Sequence, residues 1–451
     1  MSSNKRYEMD MCNGPLLGKI LIFSLPLMAS GILQLLFNAA DMVVAGRFAG
    51  SIALGAIGAT SSLINLLINV FMGLSVGANV TIANFYGAKK DKDVSETVHT
   101  TVALSIVCGI ALIFVGLLAS EPLLRLMGTP AEVLPHSALY MKIYFIGMPA
   151  MLLYNFGAAI LRAVGDTKRP LTYLVIAGVI NFILNLFFVI AFKMGVMGVA
   201  LATIISQAIS AALVLLTLMR SEGAIRFVLS DMKIYKDKVK RIARIGLPAG
   251  LQGAVFSISN VLIQSSVNSF GAVAVAGNTA SMSLEGFVYN AMNSYHQTAI
   301  SFTGQNMGAK KLDRVKKTMR WCLLCVTVVG FSMGGLCTLF GRQLLGIYSS
   351  EPEVIAYGLV RIKIIMITYF LCGWMDSIVG SIRGMGYSVM PMIVSLLGAC
   401  AFRVVWIFTV FKVIHTPECL YVSYPISWMV TYLVHYICYR IIIRKLETEL
   451  Q

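Results

Sequence analysis

Gly87-Ala88-Lys89-Lys90 returns unchanged as Gly308-Ala309-Lys310-Lys311, 221 residues further along the chain. Around this pair the same offset recurs in order. Val94 returns as Val315, Lys142-Ile143 as Lys363-Ile364, and Arg162, Gly165 and Pro170 as Arg383, Gly386 and Pro391. With one residue of slippage, Leu25-Pro26 returns as Leu247-Pro248. The matches are sparse, but they fall at equivalent positions between apolar runs. They predict a chain made of two related lobes, 1–219 and 242–451, joined by a linker at 220–241.

The composition says where such lobes fold. Of 451 residues, 58% are hydrophobic and 12% charged, with a mean hydropathy of +0.81. Soluble domains are about 45–50% apolar and about 25% charged, so too little polar surface remains here to meet water. Disorder and a nucleic-acid module are excluded on the same ground. A bilayer core of about 30 Å needs roughly 20 apolar residues per helix. Twelve runs qualify: 16–38, 52–78, 97–119, 138–160, 170–192, 195–219, 243–268, 272–303, 320–345, 359–382, 389–411 and 419–441. The eighth is long enough to tilt or to extend beyond the membrane, and Pro26 bends the first. Residues 1–19 are polar and carry no cleavable signal pattern.

Six spans per lobe return the chain to the side on which it entered. The predicted fold is therefore an all-α integral membrane protein. Its twelve transmembrane helices form two parallel six-helix bundles related by a pseudo-two-fold axis along the membrane normal. A cleft between two such bundles suits alternating access better than a channel or a receptor.

The formal charge of +16 reads first as topology. Of the 36 Lys and Arg, 27 fall on the side of the N-terminus, including Lys5, Arg6, the central loop and Arg383, and 8 on the other, including Arg361. Arg403 alone falls deep in a span. By the positive-inside rule both termini and the linker are cytoplasmic, in a multi-pass protein of the cell membrane. The basic loops lack interleaved aromatics, which argues against a nucleic-acid partner. Nine cysteines, nearly all in spans, give no disulfide framework. Cys322 and Cys325 read as small helix-packing residues.

Four motifs in order carry a family resemblance: Asn38-x-x-Asp41-x-x-x-x-Gly46, Gly87-Ala88-Lys89-Lys90, Leu161-Arg162-Ala163-Val164-Gly165-Asp166 and Arg383-Gly384-Met385-Gly386. With twelve spans and the halved repeat, most of the chain resembles the multidrug and toxic compound extrusion (MATE) family of the MOP flippase superfamily. The resemblance implies an antiporter in which entry of H⁺ or Na⁺ drives efflux of organic, often cationic, compounds.

The residues themselves point to the same place. Ionisable groups inside spans are costly and mark functional sites by default, and only Asp41, Glu285 and Asp376 are acids clearly within spans. Asp41 closes a stripe with Gln34 and Asn38 at helical spacing. Asn181 and Asn185 lie one turn apart in the fifth span, Thr203 and Gln207 one turn apart in the sixth. If these spans converge, a carboxylate, two amide oxygens and a hydroxyl form a hard-oxygen set for a small cation, or a carboxylate that takes a proton. The resemblance assigns the coupling site to Asp41, Asn181, Asn185 and Thr203. Position 185 is Asn where many proton-linked members carry Asp, so Na⁺ ligation and single-site protonation both stay open. Asn155, seven residues before Arg162, is a cavity-side polar candidate.

The second lobe has different chemistry. Its repeat position for Asp41 is Leu262 or Ile263, and Phe256 stands where one branch of the family has a Glu. Asn260, Gln264 and Asn268 form an i, i+4 row, Glu285, Tyr289 and His296 lie near one face, and Asp376 precedes Arg383 by seven residues. Glu285, Asp376 and His296 are candidates for binding cationic substrate or exchanging a proton. The competing reading is charge pairing, for instance of Asp376 with Arg403, whereas no embedded base is evident for Glu285.

The predicted function is cation-coupled, polyspecific export of organic, cationic compounds by alternating access. The alternative is a flippase of a lipid-linked precursor, which usually has a strongly basic cavity. No catalytic motif of an intramembrane enzyme appears. No cofactor is expected beyond the coupling ion. The expected partners are small organic substrates and the lipid bilayer, with the chain acting as a monomer.

Overall fold

In hydrocarbon every backbone N–H and C=O must be paired within the segment, which leaves apolar runs of this length only the helix. The computed structural model describes residues 7–450, and no β-strand occurs among them. Lys5 and Arg6 lie outside the described residues.

The first half of the chain forms α1 (Leu16–Val44), α2 (Ser51–Gly87), α3 (Asp91–Leu126), α4 (Leu134–Ile146), α5 (Met148–Ala163), α6 (Lys168–Leu186) and α7 (Gly195–Arg220). The second half forms α8 (Lys236–Asn268), α9 (Ala272–Gly308), α10 (Leu312–Leu339), a short α11 (Gly341–Gly346), α12 (Pro352–Thr368), α13 (Phe370–Gly384), α14 (Val389–Ser395), α15 (Phe402–Phe408), α16 (Val410–Val413) and α17 (Pro417–Leu450). Wider π-helical turns extend α1 over Ala45–Ala49 and α6 over Phe187–Ala191, and Leu396–Ala401 joins α14 to α15.

Among the described residues nine continuous helical stretches are long and apolar enough to cross a membrane. The pairs α4–α5 and α12–α13 each make one further span, bent by 49° and 46°. Pro149, just past the α4–α5 break, has no N–H for the carbonyl four residues back, which accounts for the first bend. The twelfth span is α9. Its 37 residues reach about 55 Å, and its polar content keeps it below the hydropathy of the others.

The repeat is written into the backbone. Gly50 and Gly271 open α2 and α9 at φ 90° and 89°, Gly165 and Gly386 follow α5 and α13 at 97° and 95°, and Lys89 and Lys310 stand at 55° and 56°. A lysine in the left-handed region is uncommon. Finding the same exception twice at one offset marks a duplicated structure.

Contacts divide the chain into two units. Unit 1 holds Leu33–Gly250 with the described part of Met1–Asp10, and unit 2 holds Met11–Ile32 with the described part of Leu251–Gln451. The long helices α1 and α8 therefore each pass from one unit to the other part-way along. Within unit 1, Gly73 and Gly77 of α2 meet Gly246 and Gly250 of α8 with no room for a Cβ, a small-xxx-small contact that lets two helix backbones touch. Within unit 2, Phe23 of α1 packs edge-on against Phe302 of α9 at 5.5 Å.

Candidate functional site

The site in unit 1 begins with a missing side chain. A Cβ at Gly178 would overlap the ring of Phe37, so glycine there lets α1 lie close on α6. One turn beyond Phe37, Asp41 meets the asparagines of α6. Asn185 Nδ2 donates to Asp41 Oδ1 at 2.5 Å and to Asn181 Oδ1 at 3.2 Å. Asn181 and Asn185 are buried, and Asp41 is half-buried. Asn185 Oδ1 is buried without a hydrogen-bond partner. Among the described residues Asp41 enters no ion pair; Asn185 is its hydrogen-bonding neighbour.

Two tyrosines complete the surroundings. Tyr140 and Tyr144 of α4 stand within electrostatic reach of Asp41, their rings 6.0 Å apart. Sequence reading missed them, although their i, i+4 spacing on a span was a visible signal. Thr203 is placed differently: its hydroxyl donates to the Val199 carbonyl of its own helix at 3.0 Å. Gln34 and Asn38 are exposed on α1. Asn155 is half-buried and donates to the Met151 carbonyl at 2.8 Å.

A carboxylate in a dry site without a counter-charge is unfavourable, and either a proton or a hard cation relieves it. The orphaned Asn185 oxygen fits the second possibility. The amide can turn its N–H₂ to an ionised Asp41, or its oxygen to a cation or a protonated acid. Asn181 Oδ1 supplies a further oxygen, so the donor set suits a small hard ion.

Unit 2 overturns the expectation that Glu285 lacks an embedded base. Arg361 Nε and Nη2 donate to Glu285 Oε1 and Oε2 at 2.5 and 2.7 Å, and Arg361 is only 3% exposed. Sequence placed Arg361 at the edge of an apolar run, but it lies ten residues inside α12, facing the polar stripe of α9. The network continues: Arg361 Nη1 and Tyr421 Oη both donate to Asn278 Oδ1, at 2.9 and 3.2 Å. Asn278 Nδ2 donates to Gln264 Oε1, and Gln264 Nε2 to Asn268 Oδ1.

The suggested pairing of Asp376 with Arg403 is absent as well. The Asp376 carboxylate instead hydrogen-bonds with Tyr289 and interacts electrostatically with Arg383. Arg383, placed by sequence among the inner-side charges, is buried and donates from Nη2 to Gln252 Oε1 at 2.8 Å. His296 donates from Nδ1 to the Asp376 backbone carbonyl at 2.6 Å. Asn260 is exposed, and Gln264 is half-buried in the network above.

A duplicated set of membrane-spanning helices around a buried polar cluster is the architecture of a membrane transporter. Comparison with known proteins gives the family. The chain matches the family described as MatE over residues 26–187 and again over 248–409, once in each repeat. The chain belongs to the MATE family of multidrug efflux transporters. It is 28% identical to the Probable multidrug resistance protein YoeA of Bacillus subtilis (strain 168), over 94% of this chain and 93% of that one. With the Probable multidrug resistance protein YpnP of the same organism it shares 30% identity, over 87% and 88%. Its fold superposes with a TM-score of 0.91 on an outward-facing MATE transporter of the MOP superfamily, covering 99% of both chains at 21% identity.

Proposed function

We propose that the protein exports organic compounds by cation-coupled antiport, with Asp41, Asn185 and Asn181 as the coupling site and H⁺ or Na⁺ as the driving ion. The observation that carries this is the isolation of Asp41: a carboxylate inside a span, held by one amide and answered by no base among the described residues. Such a group releases or takes a cation as its exposure alternates, which is what coupling requires. Thr203 joins the site in the states that carry the ion. The relatives named as multidrug resistance proteins support export over the flippase reading.

The distribution of Lys and Arg supports cytoplasmic termini in the cell membrane; on this reading the chain works as a monomer by alternating access. The expectation of cationic cargo drew on the family resemblance and on three acids in the spans, Asp41, Glu285 and Asp376, against one deep base, Arg403. Arg361 and Arg383 are buried too, so the electrostatic part of that expectation does not extend to unit 2.

The test is efflux of a fluorescent organic cation and a fluorescent organic anion from vesicles, with ΔpH and a Na⁺ gradient imposed separately. Efflux driven by one gradient and lost in Asp41→Asn names the ion and supports the site. Full gradient-driven efflux by Asp41→Asn contradicts it.

A further inference from the structure

The buried charges of unit 2 do not cancel. Arg361, Arg383 and Arg403 are 3%, 6% and 4% exposed, and the acids facing them inside the spans are Glu285 and Asp376. Glu285 is occupied at both oxygens by Arg361. Asp376 is shared between Tyr289 and Arg383. Arg403 is left over. Its guanidinium lies 4.1 Å from the Tyr424 ring centroid and 5.6 Å from that of Trp428. Its Nε donates to Ser427 Oγ at 2.9 Å. Its Nη2 is buried and has no partner. Arg403 forms no ion pair among the described residues, and Arg361 stands near enough to repel it.

Aromatic faces attract a guanidinium without neutralising it. A buried cation with an open N–H edge is therefore a receptor for an anion, and the planar fork matches a carboxylate or a phosphate. The rings beside it supply apolar surface for the rest of a ligand.

We propose that Arg403, walled by Tyr424 and Trp428, binds the carboxylate or phosphate of an organic anion or zwitterion within unit 2. Calling that ligand a cargo rests on the export reading above; the binding does not. Unit 2 then recognises acidic organic groups, and unit 1 handles the coupling ion.

Equilibrium binding of radiolabelled 2-naphthoate to the full-length protein in phosphatidylcholine nanodiscs tests this. The expected result is saturable binding, displaced by 2-naphthyl phosphate and not by the neutral 2-naphthamide. Affinity falls at least tenfold in Arg403→Gln and less in Arg403→Lys, which keeps the charge without the fork. Removing an unpaired buried charge should not harm folding; if Arg403→Gln does misfold, Arg403→Lys carries the test and its affinity must fall. Absence of saturable binding, or unchanged affinity in the folded variant, overturns the proposal.

Repeating the measurement with rising phosphatidylglycerol separates the sources of the anion. Displacement by the lipid assigns the site to a headgroup phosphate, and unchanged affinity assigns it to soluble organic anions; both outcomes keep the anion site. Naphthoate binding without gradient-driven efflux in the same preparation leaves this site standing and overturns the coupling reading. Efflux without naphthoate binding does the reverse.

Discussion

Asp41 in unit 1 and Glu285 in unit 2 are both acids inside long helices, yet their surroundings differ in kind. Asp41 has an amide for a partner and, among the described residues, no base. Glu285 has a guanidinium locked on both oxygens, which is tied in turn to Asn278 and, through Asn278, to Tyr421. The repeated turns at Gly50 and Gly271, and at Lys89 and Lys310, show that the halves share a backbone design. Their buried chemistry has diverged on that common backbone. A lone carboxylate can change its charge state or its ligand, whereas a bidentate ion pair resists both. The difference teaches that a buried acid becomes a coupling candidate through what it lacks.

The largest effect is expected at Asp41. Asp41→Asn should reduce gradient-driven efflux to the background of empty vesicles while the amount of inserted protein stays at the wild-type level, checked by transport and immunoblot on the same membranes. Glu285→Gln should act on the fold instead. It strands Arg361 as a buried charge, at a cost of about 3–5 kcal/mol, so the melting temperature in detergent should drop sharply. Glu285→Met combined with Arg361→Met should recover most of that loss. A stable Glu285→Gln protein that has lost only its coupling would break the comparison.

Smaller effects sharpen it. Asn185→Ala removes a hydrogen bond that favours the ionised Asp41, of about 1.5–3 kcal/mol; in initial-rate titrations it should tighten apparent proton affinity about ten- to a hundredfold where H⁺ is the ion, and weaken affinity through loss of a ligand oxygen where Na⁺ is the ion. Thr203→Val should weaken ion affinity more than about twofold but less than about tenfold, because on the proposed reading Thr203 leaves the Val199 carbonyl to join the ion during the cycle. A smaller change would show that its hydroxyl stays on Val199.

Much of the architecture was legible in the sequence, because a bilayer imposes its thickness on every span and duplication leaves paired turns. Asp41, Asn181 and Asn185 were legible for a related reason: polar groups in apolar helices stand out singly. What escaped involved partners remote in sequence. Arg361 reaches Glu285 across 76 residues, and its place near the start of an apolar run looked like an outer-side charge. Arg383 looked like a loop residue because the helix α13 carries it to the end of its span. The contact of Gly178 with Phe37 depends on how two helices lie together, which no periodicity states. The bend at α4–α5 could have been read from Gly147 and Pro149, but a continuous apolar run concealed it.

The central claim is that coupling resides in the uncompensated acid of unit 1 and not in the paired acid of unit 2. The most direct measurement compares gradient-driven efflux in proteoliposomes holding equal amounts of Asp41→Asn and of the Glu285→Met/Arg361→Met double variant. The account predicts no driven efflux in the first and driven efflux close to wild type in the second. Driven efflux by Asp41→Asn, or its loss in a folded double variant, would contradict it.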